Sequence, residues 1–310
     1  MKTPVVLVTG FLGSGKTTLI ARLLQRPELG ETAVIVNELG EVGIDHHLLR
    51  RVDERTVLLS SGCVCCVLRG DLSDELRDLL DRRDAGEIPP FSRVVIETTG
   101  IAEPAPIVHT LLTDPLLPHH YELASVVATV DGQHGLRGRE ALLQVAAADT
   151  LVVTKADVGC EATLDALESE LARINPTART VRASFGEIDP ELLLAPASHD
   201  VREIAVSGSH GAHDIEAVVL TLDCSIDWNA FGIWLTMLLH GRGTEILRIK
   251  GLLDTGGDGP LLIDCVQHAV HPPVHLESWP DEDHRSRLVF IGRGIERADL
   301  ERSLAAFSRV

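Results

Sequence analysis

The sequence predicts an α/β domain built on a mostly parallel sheet, followed by a smaller α+β domain. Three observations carry this. Up to residue 195, short apolar runs alternate with amphipathic stretches, as they do when helices connect parallel strands. From Pro190 to Asp214, Pro, Ser, Gly and His gather without an apolar period, which reads as a linker. Beyond it the order of strands and helices changes, and all three tryptophans (Trp228, Trp234, Trp279) lie there. The domains are expected at 1–195 and 215–310, with 196–214 between them, and 310 residues suffice for two cores.

In the first domain strands are expected at Val5–Thr9, Thr32–Asn37, Thr56–Ser60, Arg93–Glu97, Ala124–Val130 and Thr150–Thr154. Each is a near-continuous apolar run of the kind buried on both faces. Helices are expected at Lys16–Gln25, Asp71–Arg82, Arg139–Ala147 and Glu161–Ile174, where apolar residues recur every three or four positions. In the second domain, strands at Ile215–Cys224, Glu245–Lys250, Leu261–Val266 and Leu288–Ile291 accompany helices at Trp228–Leu239 and Glu296–Phe307.

Composition narrows the function classes. With 45% hydrophobic and 24% charged residues the chain matches folded globular proteins. A formal net charge of -18 leaves little for the basic footprint that phosphate backbones require, so nucleic acid is not an expected partner. The apolar run Val5–Val8 is broken by Gly10, Gly13, Gly15 and Lys16 too early for a cleaved leader. No run reaches the roughly 18 apolar residues of a membrane span. A cytoplasmic protein is expected, without a membrane partner. Of six cysteines, Cys63, Cys65 and Cys66 lie within four positions, a spacing that suits metal or thiol chemistry better than a disulfide framework. Cys160, Cys224 and Cys265 read as small buried hydrophobes.

The strongest local signal is Gly10-Phe11-Leu12-Gly13-Ser14-Gly15-Lys16-Thr17, followed by Thr18. Two glycines five positions apart, then Lys and Thr, between an apolar strand and an amphipathic helix, form a phosphate-binding P-loop. Its glycines turn backbone N–H groups onto phosphates, Lys16 supplies a point charge to the outer ones, and the Thr17 hydroxyl suits Mg²⁺. The first domain therefore reads as a P-loop NTPase. Val94-Val95-Ile96-Glu97 is an apolar strand ending in an acid, where a metal-proximal carboxylate belongs.

Thr154-Lys155-Ala156-Asp157 follows the buried-looking strand and resembles an Asn-Lys-x-Asp guanine-reading loop, with Thr154 in place of Asn. The Asp157 carboxylate can accept from guanine N1–H and N2–H, whereas adenine offers no N1–H. Charge-assisted bonds of about 1.5 to 3 kcal/mol each predict a GTP preference over ATP of roughly tens to thousands of fold.

Gly62-Cys63-Val64-Cys65-Cys66 lies between a strand and a helix, where three thiolates suit a soft or borderline ion such as Zn²⁺. A fourth ligand would come from elsewhere. Buried thiols without a ligand role and a redox dithiol are the alternatives.

Together these elements resemble the CobW-like family of metal-related P-loop GTPases, in Walker A loop, Cys-x-Cys-Cys turn, Glu-ending strand and guanine loop. The resemblance extends to Val36–Asp45, Ile96–Pro104, Leu247–Gly251 and Val289–Gly292, nearly the whole chain. It implies GTP hydrolysis, with Lys16, Glu97 and Glu38 catalytic, coupled to binding a transition metal, zinc or Co²⁺, and delivering it to a client metalloprotein. It also implies nucleotide contacts at Gly10, Gly13, Ser14, Gly15, Lys16, Thr17, Thr18, Thr154, Lys155 and Asp157. Glu38 and Glu41 match family positions near nucleotide and metal, an exposed acidic loop being the plain alternative. A homo-oligomer is compatible with this reading. The linker offers only His199, His210 and His213, which argues against bulk metal storage. His268, His271 and His275 are expected to be solvated. A small-molecule kinase and a nucleotide-stabilised interaction module with structural cysteines are the rival readings.

Overall fold

The computed structural model describes residues 2–26, 29–37, 57–61, 70–194 and 214–307. The chain divides into two compact units, Met1–Glu170 with Ala178–Ala197, and Leu171–Thr177 with Ser198–Val310.

Among the described residues the first unit carries a seven-stranded sheet. Its strands are β1 (Thr3–Gly10), β2 (Thr32–Asn37), β3 (Val57–Ser61), β4 (Arg93–Glu97), β5 (Tyr121–Asp131), β6 (Thr150–Thr154) and β7 (Arg179–Arg182). They lie in the order β3-β2-β4-β1-β5-β6-β7, and every pairing is parallel. The helices are α1 (Lys16–Leu23), α2 (Gly70–Asp84), α3 (Pro104–Thr113), α4 (Leu117–His120), α5 (Gly138–Ala147), α6 (Glu161–Ile174) and α7 (Pro190–Leu194). The chain adds strands on one side of β1 and then crosses to the other. This makes the C-terminal edge of the central strands a topological switch point, where α/β sheets bind ligands. Val6, Val8, Val34, Val95, Val127 and Val152 of adjacent strands share a core with Leu19, Ile20 and Leu23 of α1, which is why these strands read as uninterrupted apolar runs.

Four elements of this unit, β7, α3, α4 and α7, escaped the sequence pattern. β7 is an edge strand of sequence Arg-Thr-Val-Arg, with no fully buried residue. Its Arg182 is paired instead with Glu161, Asp165 and Glu168 of α6, at 2.6, 2.6 and 2.7 Å. α3 starts on Pro104, a residue suited to a first helical turn. The expected linker begins too early, since Pro190–Leu194 forms α7 and its Leu193 is buried in the core. The strand expected at Ala124–Val130 also runs longer, from Tyr121 to Asp131.

The second unit is α+β. Strands β8 (Glu216–Leu222), β9 (Ile246–Leu253), β10 (Leu261–Val266), β11 (Ala269–Val270), β12 (Val274–His275) and β13 (Ser286–Gly292) form an antiparallel sheet in the order β11-β10-β9-β13-β8, with β12 beside β10. Helices α8 (Trp228–Arg242) and α9 (Arg297–Phe307) share its core. Asp227 caps α8 by accepting the Ala230 N–H at 2.8 Å. Phe231, Trp234, Leu235 and Leu239, at helical spacing, are buried with Leu220, Leu288, Phe290, Leu300 and Leu304. The Trp234 indole N–H donates to Ser303 Oγ at 3.0 Å, so its polar edge is satisfied. No helix among the described residues is long and apolar enough to cross a membrane.

Of the three scattered cysteines only Cys265 is buried, and burial pushes its thiol well above the usual range. Cys160 and Cys224 are exposed, contrary to expectation. Cys160 immediately precedes α6 and Cys224 follows β8, positions set by element ends rather than by the core.

Candidate functional site

β1 ends at Gly10 and α1 begins at Lys16, so the loop between them is anchored at both ends by buried elements. Gly10 sits at φ +143°, and a β-carbon there would collide with Thr129 of β5. The loop closes with Ser14 N donating to Phe11 O at 3.1 Å. Two neighbouring strands brace it. Ser14 Oγ lies 2.6 Å from Thr129 Oγ1, and Thr154 Oγ1 at the end of β6 donates to Ser14 O at 2.7 Å.

Lys16 Nζ folds back over this loop, donating to Gly10 O at 2.8 Å and Phe11 O at 3.3 Å. Thr17 Oγ1 donates to Glu97 Oε1 at 2.6 Å, and both residues are buried. The parallel register of β1 and β4 sets this pair, because Val8 lies opposite Glu97. A hydroxyl and a carboxylate side by side at a P-loop are hard oxygen donors, which fits Mg²⁺ held together with substrate phosphates. The loop after β4 is tied to β1 by Thr98 N donating to Val8 O at 3.0 Å. It is also tied to α5, where the buried Gln144 side chain donates to Gly100 O and Ala102 O at 3.2 and 3.1 Å.

At the end of β6, Lys155 takes φ +55° and reaches back across the P-loop, donating to Gly13 O at 2.9 Å and to Asp131 Oδ2 at 2.6 Å. Asp131, the last residue of β5, also receives the Gln133 and His134 backbone N–H groups on Oδ1, at 2.8 and 3.1 Å, and His134 Nδ1 on Oδ2 at 3.0 Å. Partial burial acts to raise the Asp131 pKa, but the bonds from Lys155, His134 and the backbone outweigh it and lower it to about 2. Asp157 is exposed on the turn that follows Lys155. The backbone N–H of Ala156, between them, donates to Ala183 O just after β7, at 3.3 Å. A cavity of about 210 Å³ runs beside the P-loop between Phe11, Asp131, Arg137 and Gln144.

The structure thus brings the P-loop, Glu97 and the Thr154–Asp157 turn to one edge of one sheet. Glu38, Glu41, Cys63, Cys65 and Cys66 lie outside the described residues, as do His199, His210 and His213. His268 and His275 are exposed, and among the described residues no three His, Cys, Asp or Glu side chains gather as a metal site. Sequence reasoning missed Asp131, Thr129, Gln144 and the turn after β7. Asp131 carried a legible signal, an acid closing an apolar run as Glu97 does. Gln144 carried none beyond a polar residue on a helix.

The CobW/HypB/UreG nucleotide-binding domain matches residues 4–182, more than half of the chain. The chain belongs to this family. The C-terminal domain of the cobalamin synthesis protein CobW matches residues 215–308. The zinc chaperone YjiA of Escherichia coli is 35% identical over 98% of both chains. The zinc chaperone CobW of Pseudomonas aeruginosa is 30% identical over 98% of this chain and 91% of its own. The crystal structure of Zn(II)-bound YjiA GTPase aligns with a TM-score of 0.75 at 32% identity, covering 99% of each chain. This CobW-family chain therefore has a P-loop NTPase fold with a smaller α+β domain after it, and is similar to zinc chaperones, of which YjiA is a GTPase.

Proposed function

We propose that the protein hydrolyses GTP to GDP and phosphate and couples that cycle to binding a transition metal, zinc in the first place, and delivering it to a client metalloprotein. The observation that carries the hydrolysis is the buried Thr17–Glu97 pair at 2.6 Å beside Lys16. Thr17 and Glu97 would hold Mg²⁺, which when bound neutralises charge on the outer phosphates. Lys16, now spanning the Gly10 and Phe11 carbonyls, turns toward the phosphate oxygens, and the loop N–H groups receive the rest. Lys155 positions the base-reading turn against the loop, and Asp157 accepts from guanine N1–H and N2–H.

The metal half of the proposal draws support from the zinc-chaperone relatives and from the Cys63, Cys65 and Cys66 spacing, with Glu38 and Glu41 near it in sequence. Three thiolates with a replaceable fourth ligand suit an ion that is passed on. Linkage makes the coupling reciprocal: if metal favours one nucleotide state, nucleotide shifts metal affinity by the same factor. Zn²⁺ affinity measured with GDP and with a non-hydrolysable GTP analogue tests this, alongside the Cys65→Ala, Cys66→Ala double variant. Nucleotide-dependent affinity that the double variant loses is expected. Equal affinity in both nucleotide states, or an unchanged double variant, defeats the coupled reading.

A further inference from the structure

The turn after β7 holds a bulky side chain in a backbone region that such side chains rarely adopt. Phe185 holds φ +56°, and the residue is 67% exposed. A bulky side chain rarely adopts this backbone region, and strain of this kind gathers at ligand clamps. A side chain this exposed gains little from burial in return.

The rest of the turn is tightly fastened. Ala183 N donates to Val153 O at 2.8 Å, and Ser184 pairs with Glu187 as an isolated bridge. Ala183 O accepts from Ala156 N, which belongs to the Lys155–Asp157 turn. Gly186, at φ +76°, lies so close to α1 that a β-carbon would stand 2.9 Å from the Thr18 carbonyl oxygen. Arg22 Nε, one turn further along α1, donates to Phe185 O at 3.3 Å. One turn therefore connects the first turn of α1, where phosphates are placed, to the base-reading turn. The bond between Ala156 and Ala183 sets this turn beside the one that carries Asp157, next to where a base on Asp157 would sit. Among the described residues of this unit, the non-glycine positions with left-handed backbone are Lys155 and Phe185, on two turns bonded to each other.

From this placement we infer that Phe185 is a nucleobase-stacking residue, its ring lying against the purine that Asp157 reads. The inference rests on the proposed guanine-nucleotide site and assigns that site a second contact. Stacking uses the π-face that every base shares, so Phe185 supplies affinity while Asp157 supplies the choice of guanine.

The experiment is calorimetric titration of the full chain with Mg²⁺ and GDP, and separately ADP, for wild type, Phe185→Ala, Phe185→Gly, Phe185→Trp and Asp157→Ala. Phe185→Ala and Phe185→Gly are expected to weaken GDP by about 5- to 100-fold while leaving the GDP-to-ADP ratio unchanged. Asp157→Ala is expected to collapse that ratio. Phe185→Trp restores affinity, and its added fluorescence is quenched by GDP. Because glycine suits the +56° backbone, Phe185→Gly is expected to melt no lower than wild type, which separates loss of stacking from loss of fold. Wild-type affinity retained in Phe185→Ala overturns the stacking role and leaves the guanine site standing. A wild type that binds no guanine nucleotide overturns both.

Discussion

The Thr154 hydroxyl donates to the Ser14 carbonyl at 2.7 Å, joining the end of β6 to the middle of the P-loop. The hydroxyl carries a single proton, and the Val130 carbonyl at 3.2 Å is the more distant acceptor. Thr154 is where the sequence departs from the Asn of a guanine-reading loop. Its hydroxyl braces the loop from a buried position without requiring a longer amide there.

Thr154→Val keeps the branched shape and removes the donor, leaving the Ser14 carbonyl short of a partner. A loss of about 1 to 3 kcal/mol in urea unfolding of the first unit is expected, with weaker GDP binding. Thr154→Asn retains a donor and is expected to recover most of the affinity. Equal stability of the Val variant would show that the bond contributes nothing.

Glu97→Gln keeps the side-chain volume and removes the charge facing Thr17. Hydrolysis of Mg²⁺-GTP is expected to fall by about 100-fold or more. GDP binding in EDTA is expected to change by less than about threefold, because the backbone of the P-loop is untouched. A parallel loss in both assays would assign Glu97 to nucleotide binding alone.

Asp131 makes the first unit acid-sensitive in a defined window. Its pKa falls from 3.8 to about 2 on folding, so its contribution is complete above pH 4 and is lost as pH drops toward 2. The shift corresponds to at most about 2 kcal/mol, since Lys155 is partly exposed and screened. The stability difference between wild type and Asp131→Asn is expected to be constant from pH 7 to 5 and to shrink below pH 4. A difference that does not depend on pH would mean the carboxylate charge is not what holds Lys155.

Unassisted GTP turnover is expected to be slow, on the order of 10⁻³ s⁻¹, because no arginine finger or water-orienting glutamine is evident in the sequence. A phosphate-release assay on the isolated protein tests this. A rate near about 10 s⁻¹ would place a complete catalytic set within the chain.

Much of the fold was legible because buried parallel strands leave apolar runs that few other structures leave. Thr32–Asn37, Arg93–Glu97, Thr150–Thr154 and Glu161–Ile174 were read to the residue. β7 was not, because an edge strand needs no apolar run and Arg182 is stabilised by three acids on α6. α3 was hidden by Pro104 and Pro106, residues that signal breaks in sequence yet fit a first helical turn.

The P-loop motif by itself determined that this protein binds nucleotide phosphate, because two glycines, Lys16 and Thr17 at fixed spacing leave the backbone few other uses. The family followed from the same local patterns, since each is contiguous in the chain. What only the tertiary structure decided is how distant residues meet. Thr17 faces Glu97 across 80 positions, Lys155 reaches Gly13 across 142, and Arg22 reaches the carbonyl of Phe185 across 163. Those meetings depend on strand order and register, and parallel strand order is set by the packing of whole elements rather than by any one segment.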